Sequence, residues 1–215
     1  MSIINSLIKI KQEIKDSNFA TDPEIIAVSK TFPLEHIMPI IKHGHRHFGE
    51  NKVQEAEKKW SEIKKSLENL QLHMIGSLQS NKAKKAVELF DYIHSLDNEK
   101  LAKELSKRQI EKNKLLKYFI QVNLGSEDQK GGMKISDLKL FSEYCYNDLK
   151  LNILGLMAIP PNDGIPEKHF KKISELNHEM GFKNLSIGMS NDYMKAVKYG
   201  ASHIRIGSYI FGSRT

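Results

Sequence analysis

Three groups of residues along this chain of 215 could do chemistry, and each falls where a strand is expected to end. The first is Lys30. Ile25, Ile26, Ala27, Val28 and Ser29 read as a short buried strand running into Lys30, and Thr31-Phe32-Pro33 then break it and open a helix. Alternation along a strand puts Ile26, Val28 and Lys30 on one face. A lysine at a strand end with an apolar stem beneath it loses hydration, so its amine deprotonates more easily and can form a Schiff base with an aldehyde. The second group is a pair of small-residue turns, Gly188-Met189-Ser190-Asn191 and Gly207-Ser208. Glycine lets backbone N–H groups approach an anion closely, and Ser190, as the cap of the next helix, would add a hydroxyl. The third is Arg205. If Ile204 and Ile206 face a helix layer, then His203, Arg205 and Gly207 face inward, where an arginine needs an acceptor. Each group also has a plainer reading: Lys30 reaching to water, Ser190 and Gly207 as an ordinary cap and turn, and Arg205 paired with a buried carboxylate.

These residues need a frame that brings strand ends together. Apolar residues at helical spacing (Ile3, Leu7, Ile10, Ile14) predict an opening helix, and strands follow at 25–30, 47–49, 72–76, 92–96, 118–124, 153–159, 185–188 and 203–206. Between them helices are predicted at 34–42, 53–67, around Ala83, Val87 and Leu89, around Leu101 and Leu105 with Asp97 as N-cap, and at 136–147, 167–180 and 192–198. A polar loop spans 125–132. Eight strands alternating with helices in this length predict a single (β/α)8 TIM barrel over residues 1–215. In such a barrel the site lies at the carboxyl ends of the strands, and phosphate is often held by the loops after strands seven and eight. Those loops are the two small-residue turns. A doubly wound open sheet is the alternative, but no glycine-rich dinucleotide turn follows the first strand.

Composition narrows the classes. At 40% hydrophobic and 27% charged, the chain resembles ordinary soluble proteins, and no apolar run is long enough to span a bilayer. The N-terminus is no secretory signal, because Lys9, Lys11, Glu13 and Lys15 interrupt its apolar residues. A single cysteine, Cys145, allows no internal disulfide and fits a reducing cytoplasm; on an amphipathic helix it reads as a buried, inert thiol. The net charge of +7 is spread over helices with interleaved glutamates, as in Glu55-Ala56-Glu57-Lys58-Lys59. That is the pattern of solvated helix faces and argues against nucleic acid as a partner.

Several stretches, in order, carry a family resemblance: Ala27-Val28-Ser29-Lys30-Thr31, Phe48-Gly49-Glu50-Asn51, residues 73–82 (HMIGSLQSNK), Gly155-Leu156-Met157-Ala158-Ile159-Pro160, Leu185-Ser186-Ile187-Gly188-Met189-Ser190 and the run from Val197 to Arg214. Together they resemble the pyridoxal phosphate homeostasis proteins, whose fold resembles the barrel domain of bacterial alanine racemase. The resemblance implies that Lys30 binds pyridoxal 5'-phosphate as an internal aldimine and that Asn51 lies beside the ring. It implies that Ser190 with Met189, and Gly207 with Ser208, hold the phosphate, and that Arg205 faces the pyridine nitrogen. It implies no catalytic residue and no metal. Two departures are visible: Ser208 where many relatives have threonine, which keeps a hydroxyl, and Gly131 where a serine is common.

Arginine is effectively always protonated, so it can donate to a neutral ring nitrogen but cannot share a site with a pyridinium, and the ring becomes a weaker electron sink. Alanine racemase shares that feature but takes a second base, a tyrosine, from another domain of its partner subunit. This chain ends at Thr215, a few residues past the last strand, and Tyr193, Tyr199 and Tyr209 lie on predicted helices or beyond the barrel. The leading expectation is a cytoplasmic, monomeric, non-catalytic carrier in vitamin B6 homeostasis, with apo-enzymes that use the cofactor, or amino acids, as its partners. The alternatives are an enzyme with weak amino-acid racemase activity and a cofactor-free Schiff-base aldolase.

Overall fold

The alternation of strand and helix closes on itself. Strands β1 (Glu24–Val28), β2 (His47–Glu50), β3 (Gln71–Met74), β4 (Tyr92–Leu96), β5 (Lys117–Gln121), β6 (Asn152–Met157), β7 (Asn184–Met189) and β8 (His203–Ile206) pair in parallel in chain order. β8 returns to β1 with Arg205 beside Ile26, which completes the barrel. The structure, a computed structural model, describes residues 2–125 and 131–212; Ser213 and Arg214 of the C-terminal motif and much of the 125–132 loop lie outside the described residues.

Helices α1 (Ile3–Asp16), α2 (Leu34–Lys42), α3 (Val53–Ser66), α4 (Ala83–Leu89), α5 (Glu99–Glu111), α6 (Leu138–Glu143), α7 (Pro166–Glu179), α8 (Tyr193–Lys198) and α9 (Ser208–Phe211) surround the strands. Leu7, Ile10 and Ile14 bury one side of α1, and Ser2 caps it by accepting the Asn5 N–H. The cap of α5 is Asn98, which accepts the Leu101 N–H, not Asp97 as the sequence suggested. Asp97 is left at the end of β4 and faces the barrel mouth. The expected helix at 136–147 is interrupted: a 3-10 turn (Ile135–Asp137) leads into α6, and the backbone widens into a π-helix over Tyr144–Asp148. Cys145 is buried there, and burial pushes its thiol up to about 12. Among the described residues no helix is long and apolar enough to cross a membrane.

The strands have two different faces. Outward-facing Ile25, Ala27, Phe48, Leu72, Ile93, Ile120, Leu185, Ile204 and Ile206 join Trp60, Phe90 and Phe170 in a continuous apolar layer beneath the helices. The inner face is far more polar than branched aliphatics would make it. His73 stacks on Tyr92 at 4.1 Å, and His94 stacks on Phe119 at 4.5 Å. Hydrogen bonds join His47 Nδ1 to His73 Nε2 (3.0 Å), His73 Nδ1 to His94 Nε2 (2.9 Å) and His94 Nδ1 to Ser186 Oγ (2.9 Å). Burial holds His45, His47 and His203 down at about 4 and drives His73 and His94 well below the usual histidine value.

The turn carrying Lys30 is anchored from α3. Buried Glu50 Oε1 accepts from Ser29 Oγ (2.8 Å), Lys59 Nζ (2.9 Å) and Trp60 Nε1 (3.0 Å). Lys59 Nζ also donates to the Ser29 carbonyl at 2.8 Å, and Glu55 accepts the Thr31 N–H. Thr31 is held at φ 70°, a left-handed conformation that a β-branched residue rarely adopts. Such a conformation costs roughly 1–3 kcal/mol and persists only where the surroundings impose it. Here α3 imposes it on the residue next to Lys30.

Two outcomes follow from these interiors. Lys59→Met strands the Glu50 carboxylate and should cost about 3–5 kcal/mol in urea unfolding; adding Glu50→Gln should recover part of that loss, and additive effects would show the pair to be uncoupled. The neutral histidines set a pH dependence. Their folded values are depressed, so below about 6.5 the unfolded chain takes up protons that the barrel refuses, and stability falls with pH. At pH 5.5 each histidine kept neutral should have forfeited about 1.4 kcal/mol relative to high pH. The urea midpoint should therefore drop between pH 7 and pH 5.5, and a flat or rising midpoint would contradict the neutral interior.

Candidate functional site

A cleft of about 1190 Å³ opens where the strands end, and Lys30, Asn51, Met189, Ser190, Arg205, Gly207 and Ser208 all line it. Four loops therefore converge as the barrel geometry requires. Lys30 follows β1, Asn51 follows β2, and the other five belong to β7, β8 and the turns after them.

Arg205 forms part of the floor. The outward packing of Ile204 and Ile206 leaves it pointing inward, where it is 4% exposed. No carboxylate pairs with it among the described hydrogen bonds. Its Nη1 donates to the Ser186 carbonyl and to Ser186 Oγ (both 2.8 Å), and its Nη2 donates to the Ala158 carbonyl (3.0 Å). Burial pulls its pKa down to about 10, with Asp192 acting in the opposite direction, so the group remains a cation at neutral pH. These acceptors take three of the five guanidinium N–H groups. Lys30 leaves the neighbouring strand four residues beyond Ile26, the partner of Arg205, and so sits nearer the rim.

Ser190 does a different job from the one its position suggested. Asp192 precedes α8, and its Oδ1 accepts the Met189 N–H at 2.6 Å. Ser190 instead reaches across to the next loop, where Oγ accepts the Gly207 N–H (3.2 Å) and the Tyr209 N–H (3.3 Å). The Gly207 N–H is thus engaged by Ser190 Oγ, and Gly207 lines the cleft. With both lone-pair directions occupied, the Ser190 hydroxyl hydrogen is left to donate toward the cleft. Gly188 makes this crossing possible. Its φ of +90° and a Cβ position only 2.5 Å from Ala196 Cβ exclude a side chain there.

Asn51 is held close beneath Gly76, where an added Cβ would meet the Asn51 backbone at 2.4 Å. Its side-chain Oδ1 is buried and without a hydrogen-bond partner among the described residues. Ser208, the first residue of α9, is exposed at the rim. Gly131 also lines the cleft and gives its carbonyl to Gln121 Nε2 at 3.0 Å. A Cβ there would make only ordinary contacts, 3.4 Å to Asp97 and 3.7 Å to Gln121, so the loop does not demand glycine.

Sequence reasoning missed Asp97 and Asp192, both of which line the cleft. Asp97 directly follows a strand, a position that places any residue at a barrel mouth, but its type and place before a helix also suit an N-cap. The Glu50–Lys59–Ser29 anchor had no local signal, because its members come from β2, α3 and the turn after β1.

The alanine racemase N-terminal domain family matches residues 8–215. The pyridoxal phosphate homeostasis protein of Aquifex aeolicus is 38% identical over 200 residues, covering 89% of this chain and 87% of that protein. The Schizosaccharomyces pombe protein of the same name is 36% identical over 228 residues, covering 100% and 94%. Among solved structures, PipY of Synechococcus elongatus PCC7942 shares 35% identity and covers 98% of this chain and 100% of its own. Its forms without PLP and with PLP bound superpose with TM-scores of 0.90 and 0.88. Identity at this level over nearly the whole length, on the same closed barrel, settles the lineage: the chain belongs to the pyridoxal phosphate homeostasis protein family and carries the alanine racemase N-terminal fold.

Proposed function

We propose that the cleft holds pyridoxal phosphate, with Lys30 as the amine that takes its aldehyde covalently, and that the protein serves cofactor homeostasis as a carrier without robust catalysis. The observation that carries this reading is Arg205, a buried cation seated only on neutral acceptors at the floor of an open cleft. The donor set suits the cofactor. A guanidinium meets an unprotonated ring nitrogen, the Ser190 hydroxyl meets the phosphate beside Met189, Gly207 and Ser208, and Asn51 brings a buried amide oxygen with no described partner. Val28 and Ile75 offer apolar surface to the ring. The naming of the relatives and the PLP-bound PipY structure support the same reading.

Bound pyridoxal phosphate supplies an electrophilic aldehyde and an electron-accepting ring, and a cationic neighbour at the nitrogen keeps that ring a weak acceptor. Racemisation also needs a base on each face of the substrate carbon. Lys30 could serve one face. Among the described residues lining the cleft there is no tyrosine, histidine or cysteine, and the carboxylates are Asp97 and Asp192. Asp192 is already engaged by the Met189 N–H, and Tyr193 and Tyr209 direct their hydroxyls to Glu13 of α1. The same reading expects a cytoplasmic monomer that hands the cofactor to apo-enzymes.

Borohydride treatment of the protein loaded with pyridoxal phosphate should fix the label on Lys30 in peptide maps; a label on Lys82 or another lysine would move the site. Ser190→Ala should keep the fold and weaken cofactor binding in an equilibrium titration by roughly 1.5–3 kcal/mol, the worth of a hydrogen bond to a charged group. An unchanged affinity would reduce Ser190 to a loop tie. Chiral chromatography of D- and L-amino acids should show no interconversion near a usual enzyme rate of about 10 per second. Fast turnover that Lys30→Ala abolishes would favour the enzyme reading.

A further inference from the structure

The inside of the barrel contains an unbroken line of polar side chains that nothing at the mouth uses directly. It starts at Glu24, whose Oε2 lies 3.4 Å from His47 Nε2 with its carboxylate 43% exposed at the amino end of the strands. It continues through His47, His73 and His94 to Ser186 Oγ in contacts of 2.9–3.0 Å, and Arg205 Nη1 meets that hydroxyl at 2.8 Å. Every member from His73 to Arg205 is buried. Buried polar groups that merely fill space are costly, so a stack of this length calls for a reason.

The two ends fix its direction. Arginine can only donate, so one lone pair of Ser186 Oγ accepts from Arg205; the hydroxyl hydrogen has no acceptor among the described hydrogen bonds other than His94 Nδ1, and is spent there. His94 therefore carries its proton on Nε2 and donates to His73 Nδ1. By the same step His73 donates from Nε2 to His47 Nδ1, which leaves the His47 Nε2–H, not a lone pair, facing the Glu24 carboxylate 3.4 Å away in an ion-pair contact without a hydrogen bond. All three imidazoles are the Nε2–H form, aligned from mouth to base.

We propose that this one-way column makes the state of Arg205 at the mouth and the protonation of the far end of the barrel a single linked equilibrium. His94 and Ser186 are its positioning residues. A proton added to His47, His73 or His94 requires the line to reverse, so that His94 Nδ1 donates to Ser186. The Ser186 oxygen then accepts from both neighbours and its own hydrogen loses its acceptor, and a second positive charge stands in line with Arg205. The surrounding charges resist that reversal. Lys117 donates to the Tyr92 hydroxyl at 2.9 Å and lies over its ring, and Tyr92 stacks on His73. His203 packs against His73 and His94 from β8; at the base Lys11 and Asp22 act on Glu24 in opposite directions, and Asp91 alone favours a proton on His47, against Lys117. Acid at the base should therefore weaken binding at the mouth, and by reciprocity an occupied mouth should oppose protonation of the column.

The column is tested without any ligand. Long-range proton–nitrogen NMR spectra of protein carrying ¹⁵N-histidine should show His47, His73 and His94 as neutral Nε2–H forms at pH 7. Ser186→Ala should remove the single preference of His94, and Ser186→Thr should restore it. An Nδ1–H His94 in the wild type, or a His94 indifferent to Ser186→Ala, would overturn the column. The linkage has its own readout, which rests on the pyridoxal phosphate reading. Affinity for pyridoxal phosphate should fall between pH 7 and pH 4 about twofold more in the wild type than in His73→Phe, because the column takes up a proton only near pH 4 and the ligand's own titration is common to both. Equal profiles would overturn the linkage. Absence of binding at every pH would instead overturn the ligand reading, with the NMR spectra alone deciding the column.

Discussion

A buried cation with no carboxylate hydrogen-bonded to it among the described residues is the constraint on which this structure turns. Arg205 cannot shed its proton, and its acceptors are two carbonyls and a hydroxyl. Neutral acceptors satisfy its geometry, and Asp192 acts on its charge without a described hydrogen bond to it, so the charge is left to act on whatever enters the cleft. A carboxylate in their place would have closed a salt bridge and left a structural arginine. Ser186 and Ala158 lie on the inner walls of β7 and just past β6, so the register of three adjacent strands sets the floor of the site.

The rest of the mouth is built by borrowing. Lys30 sits on a turn that β1 alone would not hold, and α3 supplies Glu55 and Lys59 to fix it, with Glu50 beneath. The loops after β7 and β8 are tied to each other by Ser190, so they are one surface and not two independent turns. The Glu50–Lys59 pair is more than nine-tenths buried; three donors converge on Glu50 Oε1, while Oε2 is buried without a partner among the described residues, so the pair is held by one oxygen.

The architecture was legible because it rests on periodicity. Leu34–Lys42, Tyr92–Leu96 and His203–Ile206 match their predicted bounds, since each carries a clean apolar pattern between clear breakers. The inward direction of Arg205 was also legible, because Ile204 and Ile206 flank it and only one alternation buries both. What the pattern could not give is partner choice across the barrel. A histidine at the centre of a strand reads the same whether it is alone or one rung of a ladder, and His47, His73 and His94 are 21–26 residues apart in sequence. Ser190 and Asp97 failed for a related reason: each stands where a helix cap is plausible, and the neighbours that claim them, or that cap in their place, become visible only in three dimensions.

The account stands or falls on Arg205 facing a ring nitrogen, and equilibrium titration of the protein with pyridoxal phosphate and with its analogue carrying carbon in place of the ring nitrogen measures that contact alone. Both keep the aldehyde for Lys30 and the phosphate for Ser190. The predicted result is an analogue weaker by roughly 1.5–3 kcal/mol, the worth of one hydrogen bond from a charged donor. Equal affinities would show that Arg205 does not meet the nitrogen and would contradict the orientation on which the carrier reading depends.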